Sequence, residues 1–170
     1  NNIIGPNNVI ANNGTVYGYG GIYISGTNTV FNRITLNSIF DNRFLGISLW
    51  SGGNSSVAAP AISSALYNSG SGLTTVTGTA TTDATVEVFS TGAPDTAGSG
   101  EGRVYLVSTR EAGGAWSIDL AGLTIGSTLT ATATDINNNT SMFSVNKISS
   151  LPLSITEISP ATGESWQAGS

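Results

Sequence analysis

Cysteine and histidine are both missing from this 170-residue chain. Without thiol or imidazole there can be no disulfide framework, no zinc site of the usual ligand set, and no Ser-His-Asp or Cys-His nucleophile. Charge is scarce as well. Only 9% of residues are Asp, Glu, Lys or Arg, against roughly 25% in an ordinary globular chain. Five basic residues face ten acidic ones, too few to neutralise a phosphate backbone, which takes clustered Lys and Arg. Nucleic acid and anionic membrane surfaces are therefore poor partners. No apolar run approaches the ~20 residues of a bilayer-spanning helix, so no membrane insertion is expected.

What remains is rich in Gly, Ser, Thr and Asn, interleaved with Val and Ile. This is not the composition of a disordered chain, which needs high charge or few apolar residues. Short strands joined by polar turns, an all-β fold, are expected instead. The sequence opens on Asn1 rather than Met, and Ser170 falls inside what reads as the start of a further motif. The expectation is a processed product or a piece of something longer.

An irregular repeat occupies the first fifty residues. Gly21-Ile22-Tyr23-Ile24 recurs 25 positions later (46 − 21) as Gly46-Ile47-Ser48-Leu49, each copy preceded by an Asn-rich stretch. Asn28, Asn32, Asn37 and Asn42 punctuate the intervening segment, with apolar residues two apart between them. Asn tolerates left-handed turns, and strand residues alternate inward and outward. Asn at corners with Ile, Val and Leu inside suits a solenoid; an antiparallel meander with Asn-Gly turns is the alternative. The phrase from Asn37 to Leu49 resembles right-handed parallel β-helix repeats of pectate-lyase-like surface proteins, and the resemblance spans about residues 1–50.

Residues 51–60 are small and polar, without periodicity, and read as a linker. Seven strand-like runs follow, at 61–67, 73–80, 85–90, 103–110, 115–120, 127–135 and 141–148, a count that suits a β-sandwich. Residues 84–90 and 127–135 alternate cleanly, with Thr on one face, which predicts strands that bury one face only. The phrases 77–88, 114–120 and 130–141 resemble bacterial immunoglobulin-like domains. Together the two resemblances imply a short right-handed parallel β-helix stack (1–50), a linker (51–60), an immunoglobulin-like β-sandwich (61–148) and an extended tail or start of a further module (149–170).

Catalysis is not expected. β-Helix folds often carry polysaccharide lyases and hydrolases, but glycoside hydrolysis generally takes two carboxylates. Residues 1–50 offer only Asp41, with Arg33 and Arg43 beside it. No cofactor is implied, with calcium the one candidate. Asp135, Asn137 and Asn139, joined by Asp83, would supply oxygen ligands, and a turn satisfied by its own Asn side chains is the alternative. Tyr17, Tyr19, Tyr23 and Trp50 could form a carbohydrate-binding platform, or simply pack the corners. Trp116 reads as core.

Two circuits cannot close a solenoid core, which usually takes three or more repeats with a cap at each end. The first circuit is expected to expose an edge around Ile3 and Ile4. Further coils, another copy, or a strand donated through Leu151, Leu153 and Ile155 would cover it. The expected role is a non-catalytic, secreted or cell-surface structural or adhesive element: part of a stalk, or a subunit of a head-to-tail filament. A carbohydrate-binding module is the alternative. Partners are then copies of itself, adjoining modules, or glycans.

Overall fold

The computed structural model describes residues 2–14, 20–92 and 100–153, and every structural statement below concerns these. The chain is all-β, arranged in several small sheets. Six short strands come first: β1 (Asn2–Ile4), β2 (Val9–Ala11), β3 (Ile22–Ser25), β4 (Asn32–Ile34), β5 (Ser38–Phe40) and β6 (Ile47–Trp50). They pair in parallel as β1 with β4, β2 with β5 and β3 with β6. Asn2 lies opposite Asn32, Val9 opposite Ser38 and Ile22 opposite Ile47. The chain thus passes the same three sides twice, and the 25-residue repeat is the β3/β6 register.

Alternation along each strand decides what faces inward. Ile34, Ile39, Ile22, Ile47 and Ile24 are buried in one apolar cluster, with Ile4, Ile10 and Leu49 packed partly against it. Each fully buried Ile stabilises the fold by roughly 1.5–3 kcal/mol. The corners are left-handed. Asn7, Asn12, Phe31, Leu36 and Asp41 all have positive φ, and each is followed by a corner asparagine.

Seven further strands follow among the described residues: β7 (Ala61–Asn68), β8 (Leu73–Thr79), β9 (Thr85–Ser90), β10 (Val104–Arg110), β11 (Ala115–Ala121), β12 (Thr128–Thr134) and β13 (Lys147–Ile148). They form two antiparallel sheets, ordered β10-β9-β12-β13 and β11-β8-β7. Val86, Val88, Leu129 and Ala131 from the first sheet meet Ala65, Val76, Trp116 and Leu120 from the second in one core. Trp116 is 4% exposed and sits opposite Gly78. A Cβ there would stand 2.5 Å from the indole Cζ2, so only glycine leaves room for the ring.

Six of the seven expected runs coincide with strands to within a residue or so; the last does not. Of residues 141–148 only Lys147 and Ile148 are strand. Ser141 and Ser144 still run beside β12, but their hydroxyls accept the backbone N–H of Ala133 and Ala131, both at 2.9 Å. Side chains stand in for carbonyls there, and Phe143 joins the cluster formed by the parallel strands.

A second expectation also fails. β12 does not bury one face only: all seven of its residues are buried, including Thr128, Thr130, Thr132 and Thr134. The same holds along β9, where Val86 and Val88 enter the sandwich-side core while Phe89 enters the cluster of the parallel strands. The sheet β10-β9-β12-β13 is covered on both faces because the six parallel strands pack against the one expected to be solvated.

Candidate functional site

The parallel stack has two ends, and they are built differently. Columns of asparagine connect its circuits. At the second corner Asn8 donates both its backbone N–H (3.2 Å) and its Nδ2 (3.1 Å) to Oδ1 of Asn37. At the third, Asn13 does the same to Oδ1 of Asn42, at 3.1 and 3.0 Å. At the first, Nδ2 of Asn2 reaches Oδ1 of Asn32 at 2.6 Å. The amides of Asn37 and Asn42 return bonds to the carbonyls of Ile4 (2.8 Å) and Ile10 (3.0 Å). The amides of Asn37 and Asn42 therefore have a direction, accepting from the circuit above at Oδ1 and offering Nδ2 back to its carbonyls.

Below the second circuit, residues from elsewhere meet every corner. Asn54, in the segment expected as a linker, is fully buried in the short turn Gly53–Ser56. Its Oδ1 accepts from the backbone N–H (3.1 Å) and Nδ2 (3.0 Å) of Asn32, repeating the asparagine pairing one level down. Its Nδ2 donates to the carbonyls of Asn32 (2.7 Å) and Thr140 (3.0 Å). Glu87 of β9 takes the second corner, accepting from the Thr35 hydroxyl and from the Leu36 N–H at 3.0 Å. Glu101 takes the third, accepting the Asn42 N–H on both oxygens at 3.1 Å and its Nδ2 at 2.8 Å. A carboxylate suits this position because it only accepts, and the bonds to it are charge-assisted.

The strand edges are covered in the same piecemeal way. Thr140 lies under β4, its hydroxyl accepting the Ile34 N–H at 2.9 Å, and Asn139 Oδ1 accepts the Phe31 N–H at 2.6 Å. Under β5, the Ile39 N–H donates to the Gly102 carbonyl at 2.8 Å and the Ser38 hydroxyl to the Arg103 carbonyl at 2.5 Å. Phe89 and Phe143 seal the apolar interior, edge to face at 5.5 Å. A Cβ at Gly102 would lie 2.7 and 2.8 Å from those two rings, so glycine lets the backbone close over them. Outside, the Arg103 guanidinium lies 3.9 Å above the Phe40 ring and 2.7 Å from Asp41. Under β6 the seal is looser, leaving a cavity of about 80 Å³ beside Leu45, Ile47 and Phe143.

The upper end has nothing comparable among the described residues. β1 and β2 each have a single partner. Ile4 and Ile10 are only partly buried, whereas their counterparts Ile34 and Ile39 are 3% and 1% exposed. Asn2 and Ile4 turn their backbone groups down toward β4, the Asn2 N–H to Phe31 and the Ile4 carbonyl from the Thr35 N–H. By strand alternation the N–H and C=O of Ile3 then point upward, as do those of Val9 in β2. The side chains of Ile3 and Val9 are 67% and 70% exposed.

The remaining expected residues fall as follows. Tyr23 and Trp50 share the outer face of β3 and β6, diagonally related through the pairs Tyr23/Ser48 and Ser25/Trp50, and both are exposed. Tyr17, Tyr19 and Ile155 lie outside the described residues. Leu151 and Leu153 are exposed beyond Ser150, which bonds alongside β7 through Ala65 and Tyr67. Asp135 accepts three bonds within its own turn, from the N–H of Asn137 and of Asn139 (2.8 Å each) and from Asn139 Nδ2 (3.0 Å). Asp83 and Asp135 do border one cleft. No group of three or more Asp or Glu side chains placed to hold a metal ion occurs among the described residues. Nor is any helix there long and apolar enough to cross a membrane.

Sequence reasoning missed Asn54, Glu87, Glu101, Phe89 and Phe143. A signal for the two glutamates was present: in so weakly charged a chain, one sits mid-strand between Val86 and Val88 and the other between Gly100 and Gly102. Compared with family models and with curated proteins, the chain matches none.

Proposed function

We propose that this chain is a non-catalytic, secreted or cell-surface structural element, a stalk or adhesive piece. In this reading the parallel strands are the last coils of a right-handed β-helix and an immunoglobulin-like sandwich closes them off. The observation that carries it is the contrast between the ends: three corners, each met below by a buried acceptor, and each presented above on an edge that β1 and β2 leave unpaired among the described residues. An unpaired edge over a partly exposed Ile cluster recruits another strand. The occupant is a further β-coil of the same polarity, whose corner asparagines donate downward onto Asn2, Asn8 and Asn13. In a head-to-tail fibre the lower end of each stack is already occupied by its own sandwich, so a fibre joint would need a donated strand such as the one expected around Leu151 and Leu153.

Fusing one extra coil, patterned on residues 26–50, ahead of Asn2 tests this reading. The expected result is a higher unfolding midpoint and loss of any concentration-dependent association in sedimentation. Ile3→Pro, which removes an upward N–H at an edge position where proline is tolerated, should abolish the gain. An added coil that fails to stabilise the fold, on a chain that stays monomeric at every concentration, would defeat the proposal.

A carbohydrate-binding role is the second reading, favoured by the exposed Tyr23 and Trp50 on one outer face. Glycan-array binding that disappears with Trp50→Ala would support it over the stalk.

A further inference from the structure

Asn13-Gly14 is the only Asn-Gly pair in the chain, and it stands at the upper end of the third corner, just after β2. Asparagine is a thermolabile residue, because its amide carbon can be attacked by the backbone nitrogen that follows. Glycine favours that attack, having no Cβ to shield the nitrogen and the widest choice of backbone conformation. Gly14 has φ 94°, and no described residue accepts its N–H. Asn13 is exposed, and one hydrogen bond holds its amide, from Nδ2 to Asn42 Oδ1 at 3.0 Å. Asparagines followed by serine, whose side chain is the next smallest in line, are better restrained. Asn37 and Asn54 are 3% and 0% exposed, with Nδ2 donated to Ile4 in the first and to Asn32 and Thr140 in the second. Asn68 is exposed, but its Oδ1 accepts the N–H groups of Gly70 (2.9 Å) and Ser71 (3.3 Å), which fixes the carboxamide in its own turn.

We propose that Asn13 is a site of spontaneous deamidation, a slow self-modification that weakens the third corner from above. The deprotonated Gly14 nitrogen attacks Cγ of Asn13. An N–Cγ bond forms, the Cγ–Nδ2 bond breaks, and Nδ2 leaves as ammonia with protons taken from water. Water then opens the five-membered imide at either carbonyl. One opening gives aspartate, and the other gives iso-aspartate, with the main chain rerouted through the former side-chain carbonyl. Nothing is oxidised or reduced, and water is the sole co-reactant. The corner registers the product because a carboxylate only accepts. Where Nδ2 donated to Asn42 Oδ1, an oxygen now faces an oxygen. Glu101 already holds Asn42 from below, so the modified corner carries a carboxylate on both sides of one asparagine. All of this chemistry lies within the chain's own corner, and the site stands or falls separately from the stalk reading.

Incubating the intact chain in mildly alkaline, heavy-oxygen water, followed by peptide mapping in a mass spectrometer, tests it. Asn13 should convert ahead of every other asparagine, exchanging one ammonia for one heavy oxygen, and faster as the pH rises. Its rate should fall within about tenfold of that of a free peptide of residues 9–17, since a single net hydrogen bond restrains the amide. Asn13→Gln, which would need a six-membered ring, should stay unmodified at that position. Asn13→Asp should shift urea unfolding to lower denaturant, whereas Asn68→Asp should leave it in place. Conversion at Asn68 before Asn13, or an Asn13 that outlasts that rate bound, would overturn the site. An Asn13→Asp midpoint equal to that of the unsubstituted chain would overturn its effect on the corner.

Discussion

The two ends of the parallel stack are made from the same kind of circuit and differ only in what lies beyond it. Below β4 and β5, Asn54, Glu87, Glu101, Gly102 and Thr140 imitate a third circuit without being one. They come from four separate places in the chain, yet each supplies the atom that the next coil would have supplied. Above β1 and β2 no described residue provides that atom, and the inward isoleucines are correspondingly less buried. A repeating core therefore does not need a repeat to end it. It needs acceptors at the corners and something apolar to lie on.

The comparison can be broken most severely at the lower end. Phe143→Ala removes a ring that is 6% exposed in the cluster and should cost about 3–5 kcal/mol. Urea unfolding of single-tryptophan variants keeping Trp50 or Trp116 should nevertheless show one coincident transition, because the shared sheet couples both cores. Two separate transitions would show the halves to be independent.

Asn54→Ala comes next. It leaves the buried Asn32 N–H without its acceptor and the Thr140 carbonyl without its donor, at about 1–3 kcal/mol for each orphaned group. The smallest effect belongs to the upper end. Asn8→Ala deletes one exposed rung and should cost no more than about 1 kcal/mol, clearly less than Asn37→Ala, which breaks the same column from inside. Equal midpoints for these two variants would remove the distinction between the ends.

Much of the secondary structure was legible because it follows from local patterns. Alternating residues 127–135 marked β12, and Asn32, Asn37 and Asn42 marked corners of the second circuit. The 25-residue repeat marked the one sheet whose two strands resemble each other most. What was not legible depends on partners distant in sequence. A Thr face in β12 looks the same whether water or another sheet lies against it, so its burial could not be read. Asn54 sits in Ser51-Gly-Gly-Asn-Ser-Ser56, indistinguishable from a linker until Asn32 is placed above it. The cleft bordered by Asp83 and Asp135 likewise joins Arg33 of β4 to turns some fifty and a hundred positions away, beyond any local motif.

β9 carries a consequence for orientation. Val86 and Val88 belong to one core and Glu87 and Phe89 to the other, so a single extended backbone holds both bodies at neighbouring residues. Swinging one against the other would require that strand to bend, which would unseat side chains from both cores at once. The junction therefore behaves as a fixed bearing rather than a hinge. Whatever the upper end joins, the direction in which the sandwich points from it is set by the fold.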